Sequence, residues 1–185
     1  MNKKKILLVG GAGFIGFNFI KLYSKIHDIY VIENYDELIH GDKTNIKEEV
    51  INSLVCSQIK CDFSSKLSID FTNELSPDAI IILVSQTGTS DSQDRFSYYI
   101  NENINSFCRY VSSIKCNSKV ILPSSRAVYG NGFAKLDSGK IIPNGYRALK
   151  DLKTRQFKYS WEYSLQGNYL AHSFDQATLP VSVYG

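Results

Sequence analysis

Three glycines, Gly10, Gly13 and Gly16, follow the apolar run Ile6-Leu-Leu-Val9 and precede Phe14, Ile15, Phe17, Ile20, Leu22 and Tyr23, which fall mostly at helical spacing. A strand, a glycine turn and a helix in that order form a corner that holds phosphates. The first glycine permits the tight turn, the second lets a pyrophosphate approach the backbone, and the third lets the helix pack against its strand. The free N–H groups at the start of that helix, around Phe14 and Ile15, then face the phosphates together with the positive end of the helix dipole. Twenty residues beyond Gly13, the next apolar segment ends in Glu33-Asn34. A carboxylate at that place accepts hydrogen bonds from ribose hydroxyls and repels a 2′-phosphate, and no arginine follows it, so NAD is expected over NADP.

Further along, Asp62 ends another strand-like segment and is placed to cap the adenine side, with an ordinary turn aspartate as the competing reading. The run Ala79-Ile-Ile-Ile-Leu-Val84 opens into Ser85-Gln86, where a ligand sits in open α/β sheets. Lys119-Val-Ile-Leu-Pro123 opens in the same way into Ser124-Ser125. A serine there can hold a substrate oxygen while a tyrosine phenolate takes the proton.

These residues need a scaffold, and the pattern of the chain supplies one. Strands are expected at Ile6–Val9, Ile29–Ile32, about Gln58–Cys61, Ala79–Val84 and Lys119–Leu122. Helices are expected at about Phe14–Lys25, Leu67–Leu75 and Arg95–Ile114, with a further one within Leu38–Leu54, interrupted near its start by a polar turn at His40–Lys43. Such alternation predicts an α/β fold, a Rossmann-type doubly wound parallel sheet with helices on both faces. After Gly130 the rhythm is lost. Residues 131–179 read as an irregular insertion in what is otherwise a single NAD-binding domain over 1–185.

Composition narrows the classes. The chain has 185 residues, 43% hydrophobic and 21% charged, with a net charge of +3 and no basic stripe interleaved with aromatics, so nucleic acid is not an expected partner. No stretch is long and apolar enough to span a bilayer. The lysine-rich start lacks a convincing cleavage site. The four cysteines include no Cys-x-x-Cys pair and no nearby histidine at ligand spacing, so no metal is expected and inert thiols of a cytoplasmic protein are.

Gly10-x-x-Gly13-x-x-Gly16 with Gly-Phe-Ile-Gly, the Leu83-Val-Ser-Gln-Thr-Gly88 strand end, Asn103 in its long helix and Ser124-Ser-x-x-Val-Tyr-Gly130 occur together, in order. In these features the chain resembles an extended short-chain dehydrogenase/reductase of the NAD-dependent epimerase/dehydratase group, which acts on nucleotide sugars. The likeness runs from Lys3 to Gly130. Within the group, Ser124–Gly130 and the long insertion after it are similar to some sugar 4-epimerases, dTDP-rhamnose 4-epimerases among them. The resemblance implies that Gly10, Gly13, Phe14, Ile15, Gly16, Glu33, Asn34, Asp62, Leu83, Ser85, Gln86 and Asn103 form the NAD site. It also implies that Ser125 is the catalytic serine, that a nucleotide sugar is the substrate, and that the complete enzyme is a homodimer. Two departures stand beside the cofactor. Ile82, Val84 and Ser85 replace the histidine and both alanines of the usual His-Leu-Ala-Ala, and Phe17 replaces a small residue.

The family also needs Tyr-x-x-x-Lys, where the lysine charge lowers the phenol pKa. Tyr146-Arg-Ala-Leu-Lys150 carries the full motif, 21 residues after Ser125. Leu179-Pro-Val-Ser-Val-Tyr-Gly185 carries the lead-in to the catalytic tyrosine, with the lysine position three residues beyond Gly185. Residues 146–158 are too polar for a well-buried helix, so Tyr184 is favoured, with Tyr146 and Lys150 as the alternative. The expected function is the NAD-binding domain of an epimerase or dehydratase that transfers hydride transiently at sugar C4, interrupted before its lysine and lacking a C-terminal substrate lobe. A non-catalytic NAD-binding module is the rival.

Overall fold

The structure is a computed structural model, and it describes residues 2–36, 44–163, 165–171 and 177–185, with the side chains of 44–46, 160 and 163 left aside. The chain divides into two compact units. One comprises Met1–Gln86 with Ser97–Pro123, the other Thr87–Phe96 with Ser124–Gly185.

The first unit is built on five parallel strands, β1 (Lys5–Val9), β2 (Asp28–Glu33), β3 (Ser57–Lys60), β4 (Ala79–Ile82) and β5 (Lys119–Ile121), in the order β3-β2-β1-β4-β5. Between them run α1 (Phe14–Tyr23), α2 (Thr44–Leu54) and α3 (Lys66–Leu75). The polar turn expected at His40–Lys43 lies outside the described residues. The central strand shows why the sheet must be covered twice. Ile6 and Leu8 of β1 join Ile20, Ile29, Val31 and Ile51 in one cluster. Leu7 and Val9 join Ile32, Ile80, Ile82 and Tyr110 in a second. Successive side chains of a strand point to opposite faces, so an unbroken Ile-Leu-Leu-Val run has to be buried on both sides. Two free thiols, Cys61 and Cys116, pack against the second cluster, whereas Cys56 and Cys108 are exposed.

The helix expected over Arg95–Ile114 is divided. It consists of α5 (Phe96–Tyr99), a π-helical stretch Ile100–Asn105 and α6 (Ser106–Ser113), and is preceded by a separate short turn, α4 (Asp91–Asp94).

In the second unit, the stretch read as irregular contains ordered structure. Strands β6 (Phe133–Leu136), β7 (Ile141–Pro143) and β8 (Gly167–Tyr169) form an antiparallel sheet in the order β7-β6-β8. Ala134 and Leu136 on one face of β6 are covered by Tyr159 and Trp161, with Ile142 beside them. The Trp161 indole donates to Asn144 Oδ1 at 3.1 Å, and the buried Asn144 in turn donates to the Asn131 carbonyl at 2.7 Å. Strands of three or four residues carry too little periodicity to announce themselves. Their core is made by aromatics some 25 residues downstream, which no local pattern reveals. A short helix, α7 (Leu149–Lys153), lies between β7 and β8.

Among the described residues, no helix is long and apolar enough to cross a membrane, and no cluster of His, Cys, Asp and Glu is arranged to hold a metal ion.

Candidate functional site

At the carboxyl ends of the parallel strands the glycine corner forms as its spacing requires. Gly10 has φ +88°, and a Cβ there would stand 2.9 Å from Val84 Cγ1 and 3.1 Å from the Val84 nitrogen. The valine that departs from the family pattern thus fills the space beside this turn. Gly16 lets α1 approach the turn closely, since a Cβ on it would fall 2.7 Å from both the Cα and the carbonyl oxygen of Gly11. Gly13 differs from both. A Cβ there would meet only the Gly10 carbonyl oxygen, at 3.6 Å, so its open side is a space that a ligand can occupy. Gly13 is the N-cap of α1, with no side-chain cap and no acidic residue in the first turn. The N–H groups of that turn have no partner within the helix and carry the positive dipole end. Phe14 and Ile15 are 87% and 62% exposed, so what they offer a phosphate is their backbone N–H.

A pocket opens over this corner. Gly10 and Gly13 form one wall, and Glu33, Asn34, Asp62 and Phe63 form the side under β2 and β3. Leu83–Gln86 and the pair Glu102 and Asn103 form the side under β4. Glu33 is 5% exposed. Its two oxygens accept the Ala12 N–H at 2.9 Å and the Asn34 N–H at 3.0 Å, which ties the glycine turn to the end of β2. A carboxylate presents about four lone-pair sites and can accept from several donors at once. The next residue, Tyr35, is buried with φ +55°, and its hydroxyl donates to Gln58 Oε1. Burial, with the Glu33 carboxylate second, pushes its phenol above the usual range. Asp62 Oδ1 accepts both the N–H and the hydroxyl of Ser64, each at 2.8 Å, just before Ser65 caps α3. Ser85 is exposed. Asn103 bridges the backbone of Gln86, accepting its N–H at 2.8 Å and donating to its carbonyl at 2.9 Å.

Sequence reasoning did not single out Phe63 or Glu102. Adjacency to Asp62 was a signal for Phe63. Glu102 had none, because it lies in the π-helical stretch, whose wider turn no local pattern betrays.

In the second unit, Ser125 begins a 3₁₀ turn at Arg126–Tyr129, and its Oγ accepts the Ala127 N–H at 3.2 Å. The Leu179–Gly185 segment packs onto this turn. The Leu179 N–H donates to the Val128 carbonyl at 2.9 Å. At Gly130, with φ +58°, a Cβ would stand 1.9 Å from the Leu179 carbonyl oxygen. The Tyr184 N–H donates to Oγ of Ser92, a fully buried serine, at 3.2 Å. The other tyrosine is placed differently. Tyr146 is 73% exposed. Ala148 has extended backbone (φ −66°, ψ 137°), and α7 begins only at Leu149, so Tyr146 and Lys150 do not share a helical face. The structure brings Ser125 and Tyr184 into one packed region and leaves Tyr146 and Lys150 on an exposed strip.

Comparison with known proteins agrees with this architecture. Residues 6–174 match the model of the NAD dependent epimerase/dehydratase family. The chain is 28% identical, over 98% of its length, to dTDP-L-rhamnose 4-epimerase of Burkholderia thailandensis, and spans 50% of that protein. It is 30% identical, over 69% of its length, to ADP-L-glycero-D-manno-heptose-6-epimerase of Brachyspira hyodysenteriae, and spans 39% of it. The chain therefore covers half or less of the curated relatives it matches. Among solved structures, UDP-glucose 4-epimerase from Brucella ovis in complex with NAD superposes with a TM-score of 0.64 at 18% identity, over 98% of this chain and 43% of that one. With its sheet order, glycine corner and a family match over most of its length, the chain belongs to the NAD dependent epimerase/dehydratase family.

Proposed function

We propose that this chain is the NAD-binding portion of a nucleotide-sugar epimerase that acts at C4 of the sugar. The observation that carries the reading is the pocket lining. It combines an uncapped helix N-terminus at Gly13 with a buried carboxylate at Glu33 and, among the described residues, includes no lysine, arginine or histidine. The residues fit the cofactor on geometry: the open side of Gly13 faces into the pocket, and the buried Glu33 carboxylate lines it. A 2′-phosphate would meet Glu33 and Asp62, with no cation among the described lining residues to offset its charge, which favours NAD over NADP.

NAD supplies a hydride acceptor and donor for the sugar carbon. The chain's own residues have separate tasks. The first N–H groups of α1 hold the pyrophosphate, and Glu33 holds the adenosine ribose through its hydroxyls. The Ser125 hydroxyl holds the substrate oxygen, and Tyr184, as the phenolate, takes the proton from the 4-hydroxyl. Tyr184 is favoured over Tyr146 because its segment is bonded to the Ser125 turn, whereas Tyr146 is solvent-exposed and precedes the helix that carries Lys150. The relatives named above bear epimerase names, and the 4-epimerase among them matches nearly the whole chain. A homodimer in the cytoplasm completes this reading.

Titration calorimetry with NAD and NADP tests it. NAD binds, and NADP binds at least about tenfold more weakly because of the unmatched phosphate charge. Equal or tighter NADP binding removes the ribose role from Glu33.

A further inference from the structure

The small net charge of the chain conceals an uneven distribution. Residues 140–158 hold six of the 21 lysines and arginines (Lys140, Arg147, Lys150, Lys153, Arg155 and Lys158) but one of the 18 acids, Asp151, so this stretch carries +5 in a chain of +3. From Gly145 to Lys158 every residue is exposed except Asp151, which is partly buried. The apolar side chains follow the same rule. Leu149 and Phe157 are 67% and 62% exposed. Tyr146 and Leu152 are exposed too, and none of the four belongs to the Tyr159 and Trp161 core of this unit.

This exposure does not come from a slack chain. The Arg147 Nε–H donates to the Phe157 carbonyl at 2.6 Å and closes a loop around α7, while its guanidinium stacks 3.9 Å from the centre of the Tyr159 ring. Inside the loop the Arg155 N–H returns to the Leu152 carbonyl at 3.0 Å, and the Gln156 N–H to the Asp151 carbonyl at 2.8 Å. With Arg147 used in this closure, Lys150, Lys153, Arg155 and Lys158 remain, and among the described residues none of these four is in an ion pair. A preorganised loop thus presents leucines and cations together, and binding orders it at little further cost.

We propose that this loop docks the protein on the surface of a bilayer that contains anionic lipid. Each lysine or arginine near such a surface is attracted to it, and its aliphatic stem lies over apolar groups while the charged head meets the lipid phosphates. Leucine and phenylalanine set among cations match the headgroup boundary, apolar on one side and charged on the other. A nucleic acid strand would leave the leucines unused. The rings stand only at the two ends of the loop, Tyr146 and Phe157, so successive bases find no stack. The loop shares no residue with the dinucleotide pocket, so this role is independent of the NAD reading.

Co-sedimentation of a protein carrying this chain with extruded vesicles tests the docking. At about 0.1 M salt, vesicles with about 30% phosphatidylglycerol bind at least about tenfold more tightly than vesicles of phosphatidylcholine alone, and the advantage shrinks at about 0.5 M salt. Lys153→Glu combined with Arg155→Glu weakens binding to the anionic vesicles by at least about 25-fold, since each cation near the surface is worth about fivefold. Leu149→Ser combined with Phe157→Ser weakens it by about tenfold, through lost apolar burial. All four side chains are exposed, so both variants melt within about 2 °C of the wild type. Equal binding to the two kinds of vesicle, or none to either, overturns the proposal. So does wild-type affinity in the Leu149→Ser, Phe157→Ser variant, which leaves attraction to any polyanion. Tighter binding to polyglutamate or to a single-stranded oligonucleotide than to the anionic vesicles overturns it in favour of an acidic protein or a nucleic acid.

Discussion

Two glycines three residues apart answer to different constraints, and substituting each separates ligand binding from folding. Gly13 has φ −68° and ψ 170°, which valine adopts readily, and its Cβ would meet only the Gly10 carbonyl oxygen at 3.6 Å. Gly13→Val therefore costs the fold little beyond a good N-cap residue, about 1 kcal/mol, or a fall of about 2–4 °C in Tm for a chain of this size. The same side chain fills the space over the helix N-terminus. Loss of two charge-assisted hydrogen bonds to the pyrophosphate, at roughly 1.5–3 kcal/mol each, weakens NAD by about 10²- to 10⁴-fold. Gly16→Ala acts in the reverse sense. Its methyl would stand 2.7 Å from Gly11 Cα and 2.9 Å from the Gly10 carbonyl oxygen, main-chain atoms that cannot rotate aside. Overpacking of about 3 kcal/mol, offset by about 1 kcal/mol of helix propensity, leaves about 2 kcal/mol of destabilisation, or about 4–8 °C. Thermal melting and NAD calorimetry on both variants read the contrast. Normal NAD affinity in Gly13→Val refutes the phosphate corner, and an unchanged Tm in Gly16→Ala refutes the close approach of α1 to its turn.

Turnover of a nucleotide sugar by a protein carrying this chain falls by at least about 10²-fold on Tyr184→Phe and is unmoved by Tyr146→Phe, measured by steady-state kinetics; the opposite pattern transfers the proton to Tyr146. Asp78 accepts the Lys5 N–H at 2.9 Å and the Lys4 ammonium at 3.1 Å, which lowers its carboxyl below the usual value, the backbone bond being the larger cause. A depressed folded-state pKa stabilises above the unfolded value and ceases to do so as pH falls through the folded value. Wild type accordingly melts above Asp78→Asn at neutral pH, and the difference narrows as pH falls from about 4 through the lower folded-state value; a difference that does not narrow over that range refutes the assignment.

The sequence makes the first unit readable because its signals are local. The Ile6–Val9 run, glycines at intervals of three and an acid at the next strand end each lie within one element or one turn. The second unit is hidden for the converse reason. Its sheet exists because Tyr159 and Trp161 cover Ala134 and Leu136 from a distant segment, and because Asn144 satisfies the indole. The choice between tyrosines was likewise beyond spacing. Tyr146 and Lys150 do not lie on one helix, because the backbone at Ala148 is extended. Asn103 was legible as a pocket residue, but its hold on Gln86 depends on a π-helical turn.

The bond between Val128 and Leu179 gives the insertion an independence that its sequence does not suggest. At 2.9 Å it joins points 51 residues apart, so the chain leaves Gly130, builds a sheet with its own aromatic core, and returns beside its point of departure. The entropy of closing such an excursion grows only slowly with its length. Evolution can therefore lengthen, shorten or exchange the excursion as a cassette, with the Ser125 turn and the Tyr184 segment joined at its base throughout.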